Sequence, residues 1–139
     1  FLPLRISDFK DRERAFVKIQ DGCNNFCSYC KVPLVRGKSR SRSLAEIVAE
    51  VERLTHRGFK EVVLTGICLG SYHYRSFDLV AVLSALENIK GEFRIRLSSI
   101  EPQLISNDLI GRIADSEKIC PHLHIPLQSG DNVILRRLF

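Results

Sequence analysis

Three cysteines stand close together in the run Asp21-Gly22-Cys23-Asn24-Asn25-Phe26-Cys27-Ser28-Tyr29-Cys30. The spacing is C-x3-C-x2-C, directly after an apolar, strand-like stretch. Three thiolates on one short loop can hold three corners of a cubane iron–sulfur cluster. The fourth iron then lacks a protein ligand and stays open to a small molecule. Zinc is the main alternative, because Cys27-x2-Cys30 is also half of a zinc knuckle. A structural zinc site needs four ligands, usually from a second pair, and the chain has no second Cys-x2-Cys. His122 or His124 would have to complete it. A loop of metal-free core cysteines is the third reading. Cys68 and Cys120 are isolated and read as buried thiols, whose ordinary behaviour is that of small apolar groups.

The charge around this loop is uneven. The chain carries 21 basic and 16 acidic residues, a net +5. From Lys31 to Arg42 there are five basic residues (Lys31, Arg36, Lys38, Arg40 and Arg42) and no acidic one, so the whole excess sits beside the cysteines. A local positive field next to a reactive site suits a polyanionic partner such as nucleic acid. The plainer reading of such a run is a solvated loop.

A scaffold must position these groups, and 139 residues with 45% hydrophobic and 27% charged composition suffice for one ordinary core. No run approaches the ~18 apolar residues of a membrane span, and the apolar opening Phe1–Leu4 is too short for a signal peptide. An odd cysteine count of five, with three crowded together, argues against a secreted disulfide framework and for a reducing compartment, the cytoplasm. The chain begins with Phe1 and holds no Met, as expected of an excerpt of a longer protein.

Residues 1–14 read as a linker and 15–139 as one domain. Ala15–Gln20 alternates and is β-rich, so a strand is expected there. Ser43 with Glu46 forms a capping box, after which Leu44, Ile47, Val48, Val51 and Leu54 share a helical face and Gly58 ends the helix. Glu61–Leu64 is the second strand, ending at Thr65-Gly66. Ser76 is expected to open a second helix with Leu79, Val80, Leu83 and Leu86 inward. Phe93–Ser98 is the third strand. A helix follows from near Ser106 with Leu109, Ile110 and Ile113 inward, then a fourth strand over His122–Pro126 and a last helix from about Asp131. Strand and helix alternate about four times, which predicts an α/β fold with parallel strands and helical crossovers. In such folds the chemistry lies at the strand C-terminal ends. The cysteines, Thr65-Gly66, Ser98-Ser99 with Glu101, and Gln128-Ser129-Gly130 all fall there, while His122 and His124 share one side of the last strand and are expected to pack in a barrel interior.

The loop, with Tyr29 as the aromatic before its last cysteine, resembles that of the radical S-adenosylmethionine superfamily. More narrowly, the stretches 14–27, Pro33-Leu34-Val35-Arg36-Gly37, Ser41-Arg42, Leu64-Thr65-Gly66, Arg94 to Pro102 and His122 to Gly130 resemble the methylthiotransferases. Thr65-Gly66-Ile67 and Ser98-Ser99-Ile100-Glu101 look most like the branch that acts on threonylcarbamoyladenosine in tRNA. The resemblance implies a partial (β/α) barrel, C-terminally truncated here, carrying a [4Fe–4S] cluster on Cys23, Cys27 and Cys30. It implies S-adenosylmethionine as cofactor, bound near Tyr29, Thr65, Gly66, Ser98, Ser99, Glu101, Gln128 and Ser129. The cluster would cleave the cofactor's sulfonium bond by one electron, and the product would be a methylthio group on carbon 2 of a modified adenosine near the anticodon. Arg36, Lys38, Arg40 and Arg42 would hold tRNA phosphates. An electron donor such as flavodoxin or ferredoxin, a monomeric state and no membrane are implied as well. The family also has an N-terminal domain with three further cysteines and a second [4Fe–4S] cluster, which this chain lacks. Lys31 and Leu138 replace a commoner apolar residue and a Met. Two other functions stay open: methylthiolation of a ribosomal-protein aspartate, and a non-catalytic, metal-stabilised RNA-binding module.

Overall fold

The computed structural model describes residues 13–138. The proposed linker, residues 1–14, lies almost wholly outside them, and Arg14 already belongs to the first strand. In chain order the elements are β1 (Arg14–Lys18), β2 (Gln20–Asp21), α1 (Val32–Arg36), β3 (Arg40–Ser41), α2 (Leu44–His56) and β4 (Glu61–Thr65). Then come β5 (His73–Tyr74), β6 (Phe77–Asp78), α3 (Leu79–Glu87), β7 (Arg94–Leu97), α4 (Asn107–Ala114) and α5 (Asn132–Leu138).

The central sheet is parallel, in the order β1-β4-β7. Register places Ala15, Val62 and Ile95 in one row and Val17, Leu64 and Leu97 in the next. These six side chains are at most 2% exposed and face α2 and α3. Side chains alternate across a strand, so Arg14, Phe16, Lys18, Glu61, Val63, Thr65, Arg94 and Arg96 occupy the opposite face. One face is a dry helix-packed core and the other is largely polar.

The helices start where side chains can satisfy the first free N–H groups. Ser43 Oγ accepts from Glu46 N, which is the first half of the expected box, and the Glu46 carboxylate returns to the Ser43 hydroxyl in place of its backbone N–H. Ile47, Val51 and Leu54 are fully buried from this helix, each worth about 1.5–3 kcal/mol. Ser106 Oγ likewise accepts from Leu109 N. Leu109 and Ile113 point inward as expected, but Ile110 is half exposed. The second helix does not begin at Ser76. Asp78 Oδ1 accepts from Ala81 N and caps α3, while Ser76 lies in the turn between β5 and β6, a small ladder that the helical spacing hid.

The fourth strand is not a regular one. Residues 119–124 run parallel to β7 and the residues after it but bridge them at only two points, Ile95 with Ile119 and Ser99 with His124. The segment between the bridges is one residue longer on the outer chain. Pro121 has no N–H to give a ladder, and His122 N turns back to Cys120 O at 2.7 Å. His122 and His124 are exposed instead of packed in an interior.

Candidate metal centre and its rim

The cysteine loop is closed at its base by a two-residue antiparallel ladder, Gln20 opposite Ser41 and Asp21 opposite Arg40. Gly22 follows with φ +73°, and a Cβ there would lie 2.2 Å from Lys38 O. Only glycine fits this crossing, so the residue before the first cysteine is set by backbone contact. Cys23 N donates to Gly37 O at 3.1 Å, and Ser39 N donates to Asn24 Oδ1 at 3.0 Å, tying the loop to the basic segment. Inside the loop, Asn25 N donates to Cys23 Sγ and Cys30 N to Cys27 O. Ser28 N donates to Leu138 O at 2.9 Å, so the end of α5 fastens the loop from outside.

These constraints bring Cys23, Cys27 and Cys30 around one concavity of about 110 Å³, with Tyr29, Glu101 and Gln128 also in its wall. The thiols feel one another. Burial raises the Cys27 pKa, and the charges of Cys30 and Cys23 push it further. Cys68 lies behind this wall, almost fully buried. Its burial, with Glu101 and Cys23 nearby, pushes its pKa up to about 12 against the opposing hydrogen bond from Ser71, so it is a neutral thiol. Among the described residues no three His, Cys, Asp or Glu side chains are gathered around a single-ion site. His122 and His124, which would have to complete a zinc site, are exposed.

The rim holds two unmet polar atoms. Ser98 Oγ and Glu101 Oε2 are buried and, among the described residues, lack a hydrogen-bond partner. An unpartnered buried oxygen costs about 1–3 kcal/mol, and its presence at a strand end suits a polar ligand. Tyr29 OH donates to Gln128 Oε1 at 2.9 Å, and Gln128 holds φ +62°, a strained setting for a residue with a Cβ. Burial and the neighbouring Cys27 raise the Tyr29 pKa, keeping the phenol protonated as donor.

Other expected contacts are differently employed. A Cβ on Gly66 would meet Gln20 Oε1 at 2.9 Å, so the missing side chain there makes room for Gln20. Thr65 Oγ1 reaches Val17 O at 3.4 Å. Ser99 bridges His124 through the backbone. Ser129 Oγ accepts from Asp131 N and helps turn the chain into α5. Arg42 is the clearest correction. It is buried, pairs with buried Glu50 and donates to Lys18 O, so it cannot meet a phosphate. Arg36 and Arg40 are half exposed but lie 3.8 and 3.9 Å from Asp21. Lys38 is exposed and, among the described residues, has no acidic partner. Burial alone would raise the Asp21 pKa. The Lys18 hydrogen bond, Gly22 N–H and Arg36 outweigh it and hold the carboxyl below its usual 3.8.

One organising residue escaped the sequence reading. Gln20 is fully buried. Its Nε2 donates to Asp21 O, Gly22 O and Ser39 Oγ at 3.1, 2.8 and 2.9 Å, and its Oε1 accepts from Cys68 N at 2.8 Å. It joins the cysteine loop, the basic segment and the exit of β4. The available signal was an amide directly after an apolar strand, which is costly to bury unless fully bonded.

The sequence model of the Radical SAM superfamily matches residues 17–139. A threonylcarbamoyladenosine tRNA methylthiotransferase MtaB of Chlamydia pneumoniae is 44% identical over 99% of this chain and 33% of its own length. The Bacillus subtilis protein of that name is 44% identical over 97% of this chain and 31% of its own length. A tRNA-2-methylthio-N(6)-dimethylallyladenosine synthase of Pelotomaculum thermopropionicum is 46% identical over 93% of this chain and 30% of its own length. The chain thus spans about a third of these relatives. Among solved structures, the radical S-adenosylmethionine methyltransferase TsrM of Kitasatospora setae, with cobalamin and a [4Fe–4S] cluster bound, superposes with a TM-score of 0.60 at 18% identity, over 72% of this chain and 20% of its own.

Proposed function

The chain belongs to the Radical SAM superfamily, and we propose that it is the radical core of a tRNA methylthiotransferase, acting on C2 of threonylcarbamoyladenosine. The observation that carries this reading is three thiols and one unmet buried carboxylate oxygen in the wall of a single concavity. Cys23, Cys27 and Cys30 would hold a [4Fe–4S] cluster, and S-adenosylmethionine would take the remaining iron. Together these groups supply one-electron cleavage of a sulfonium and, through it, hydrogen abstraction from an unactivated C–H bond.

The chain's own residues orient the cofactor. Glu101 Oε2 can accept from an amino or hydroxyl group of the cofactor, and Ser98 Oγ can donate to its polar groups. The Tyr29–Gln128 hydrogen bond ties the cysteine loop to the exit of the irregular fourth strand across the mouth of the concavity. Lys38, with the outer halves of Arg36 and Arg40, would position phosphates without reading bases. Relatives of both tRNA branches share over 40% identity with the chain, and the Thr65-Gly66-Ile67 and Ser98–Glu101 segments favour the threonylcarbamoyl branch. Among the described residues no helix is long and apolar enough to cross a membrane. A monomer in the cytoplasm, reduced by a flavodoxin or ferredoxin, completes the proposal.

Anaerobic reconstitution tests it. The expected result is brown protein with about four irons per chain that forms 5′-deoxyadenosine from S-adenosylmethionine and dithionite. Cys27→Ala should lose both the iron and the product. Colourless protein holding one tight zinc would overturn the reading.

A further inference from the structure

A second hollow adjoins the cysteine concavity. Asn24, Asn25, Phe26, Cys27 and Gln103 line an open groove of about 550 Å³, within the ~300–1,000 Å³ typical of small-molecule sites. Asn25, Cys27 and Gln103 line both hollows, so the two share a wall. Phe26 is 80% exposed, although burying such a ring would stabilise the fold by about 1.5–3 kcal/mol. Its companions in the groove are amides, which offer both donors and acceptors. Asn24 uses its Oδ1 on Ser39 N, and among the described residues its NH2 has no partner. That same bond ties the groove residue Asn24 to Ser39, the neighbour of exposed Lys38, in a stretch from Lys31 to Arg42 without an acidic residue.

We propose that this groove seats the target base of a single-stranded RNA segment, stacked on the Phe26 ring with its edge against the amides of Asn24, Asn25 and Gln103. The inference rests on the nucleic-acid reading above and adds where the base sits. An aromatic face beside amides and a lysine matches a base, its polar edge and its phosphate. A protein segment covering the ring would be better served by aliphatic walls and a neutral surround. The shared wall at Cys27 sets the base next to the metal centre.

The test uses the full-length protein with its cluster reconstituted. Binding is read by fluorescence anisotropy with a labelled RNA hairpin whose seven-nucleotide loop carries adenosine 3′ to the central triplet. A second hairpin is abasic at that adenosine. Stacking is worth about 1–3 kcal/mol per base. Phe26→Ala should therefore weaken the intact hairpin about tenfold, with the abasic hairpin unchanged. Phe26→Tyr should stay within about twofold on both, since the face survives. Cluster absorbance reports loop integrity. If Phe26→Ala loses the cluster, Phe26→Leu keeps apolar bulk without a flat face and should show the same selective loss. Equal weakening of both hairpins overturns the proposal. So does a lowered unfolding temperature with the intact-to-abasic ratio unchanged, which is what a covering protein segment would give. Wild-type protein that binds neither hairpin better than an RNA duplex of the same length overturns the underlying nucleic-acid reading as well.

Discussion

Glu61 and Glu101 are both carboxylates drawn out of water at opposite ends of the same sheet, and they are treated differently. Glu61, 4% exposed at the strand N-terminal ends, meets Arg14 at 2.9 Å, Arg96 at 3.0 Å and Arg94 at 3.5 Å. Its hydrogen bond raises the Arg96 pKa. Glu101, beyond the C-terminal end of β7, keeps one buried oxygen without a partner. The first end has its charge neutralised within the fold. The second holds an unmet acceptor beside three thiols and an exposed aromatic ring. In folds of parallel strands stability gathers at one end and chemistry at the other, and here the division can be read from hydrogen-bond satisfaction alone.

Substitutions at the two ends sharpen this contrast. Glu61→Ala should cost the most stability, about 2–3 kcal/mol in denaturant titration. That is below the ~3–5 kcal/mol for a fully buried pair, because Arg14 and Arg94 are more than half in water. Iron content after reconstitution should not change. Glu101→Gln should do the reverse, altering stability by less than about 1 kcal/mol while weakening S-adenosylmethionine binding about tenfold in calorimetry, the value of one charge-assisted hydrogen bond. An equal stability loss at both sites would erase the distinction.

The smallest effect is acid sensitivity at the loop base. Asp21 titrates below its ordinary 3.8 in the fold. A lowered folded pKa means its contribution is complete above 3.8 and lost as pH falls through the lower native value. Asp21→Asn should flatten that acid limb by lowering stability at neutral pH slightly, while the acid end, where wild-type Asp21 is already protonated, stays nearly unaltered. An unchanged limb would show that Lys18, Arg36 and Arg40 do not act through this carboxylate.

Much of the scaffold is visible in residue types because its signals are local. Ser43 and Ser106 announce their helices through bonds three residues away, and the apolar runs at Ala15 and Glu61 fall where parallel strands form. The cysteine trio is also local, since its spacing sets the shared concavity. What failed depended on distant partners. Arg42 looks like any other cation in a basic run until Glu50 arrives from α2 to bury it. Ser76 and Asp78 are both plausible caps, and only the β5–β6 ladder separates them. The irregular fourth strand follows from one proline against β7. Gln20 became the hub of the loop because Gly66 leaves room for it, a fit between residues on different strands.

The hydrogen bonds that clasp the cysteine loop reach very far along the chain, Tyr29 to Gln128 across 99 positions and Ser28 to Leu138. A ribosome adds about 5–20 residues each second, so the thiols precede their clasp by roughly 5–20 s. Through that interval the loop is held only from its base, by the ladder of Gln20 and Asp21 with Ser41 and Arg40 and by the bonds to Gly37 and Ser39. Its outer side is fastened only once residue 138 has been made.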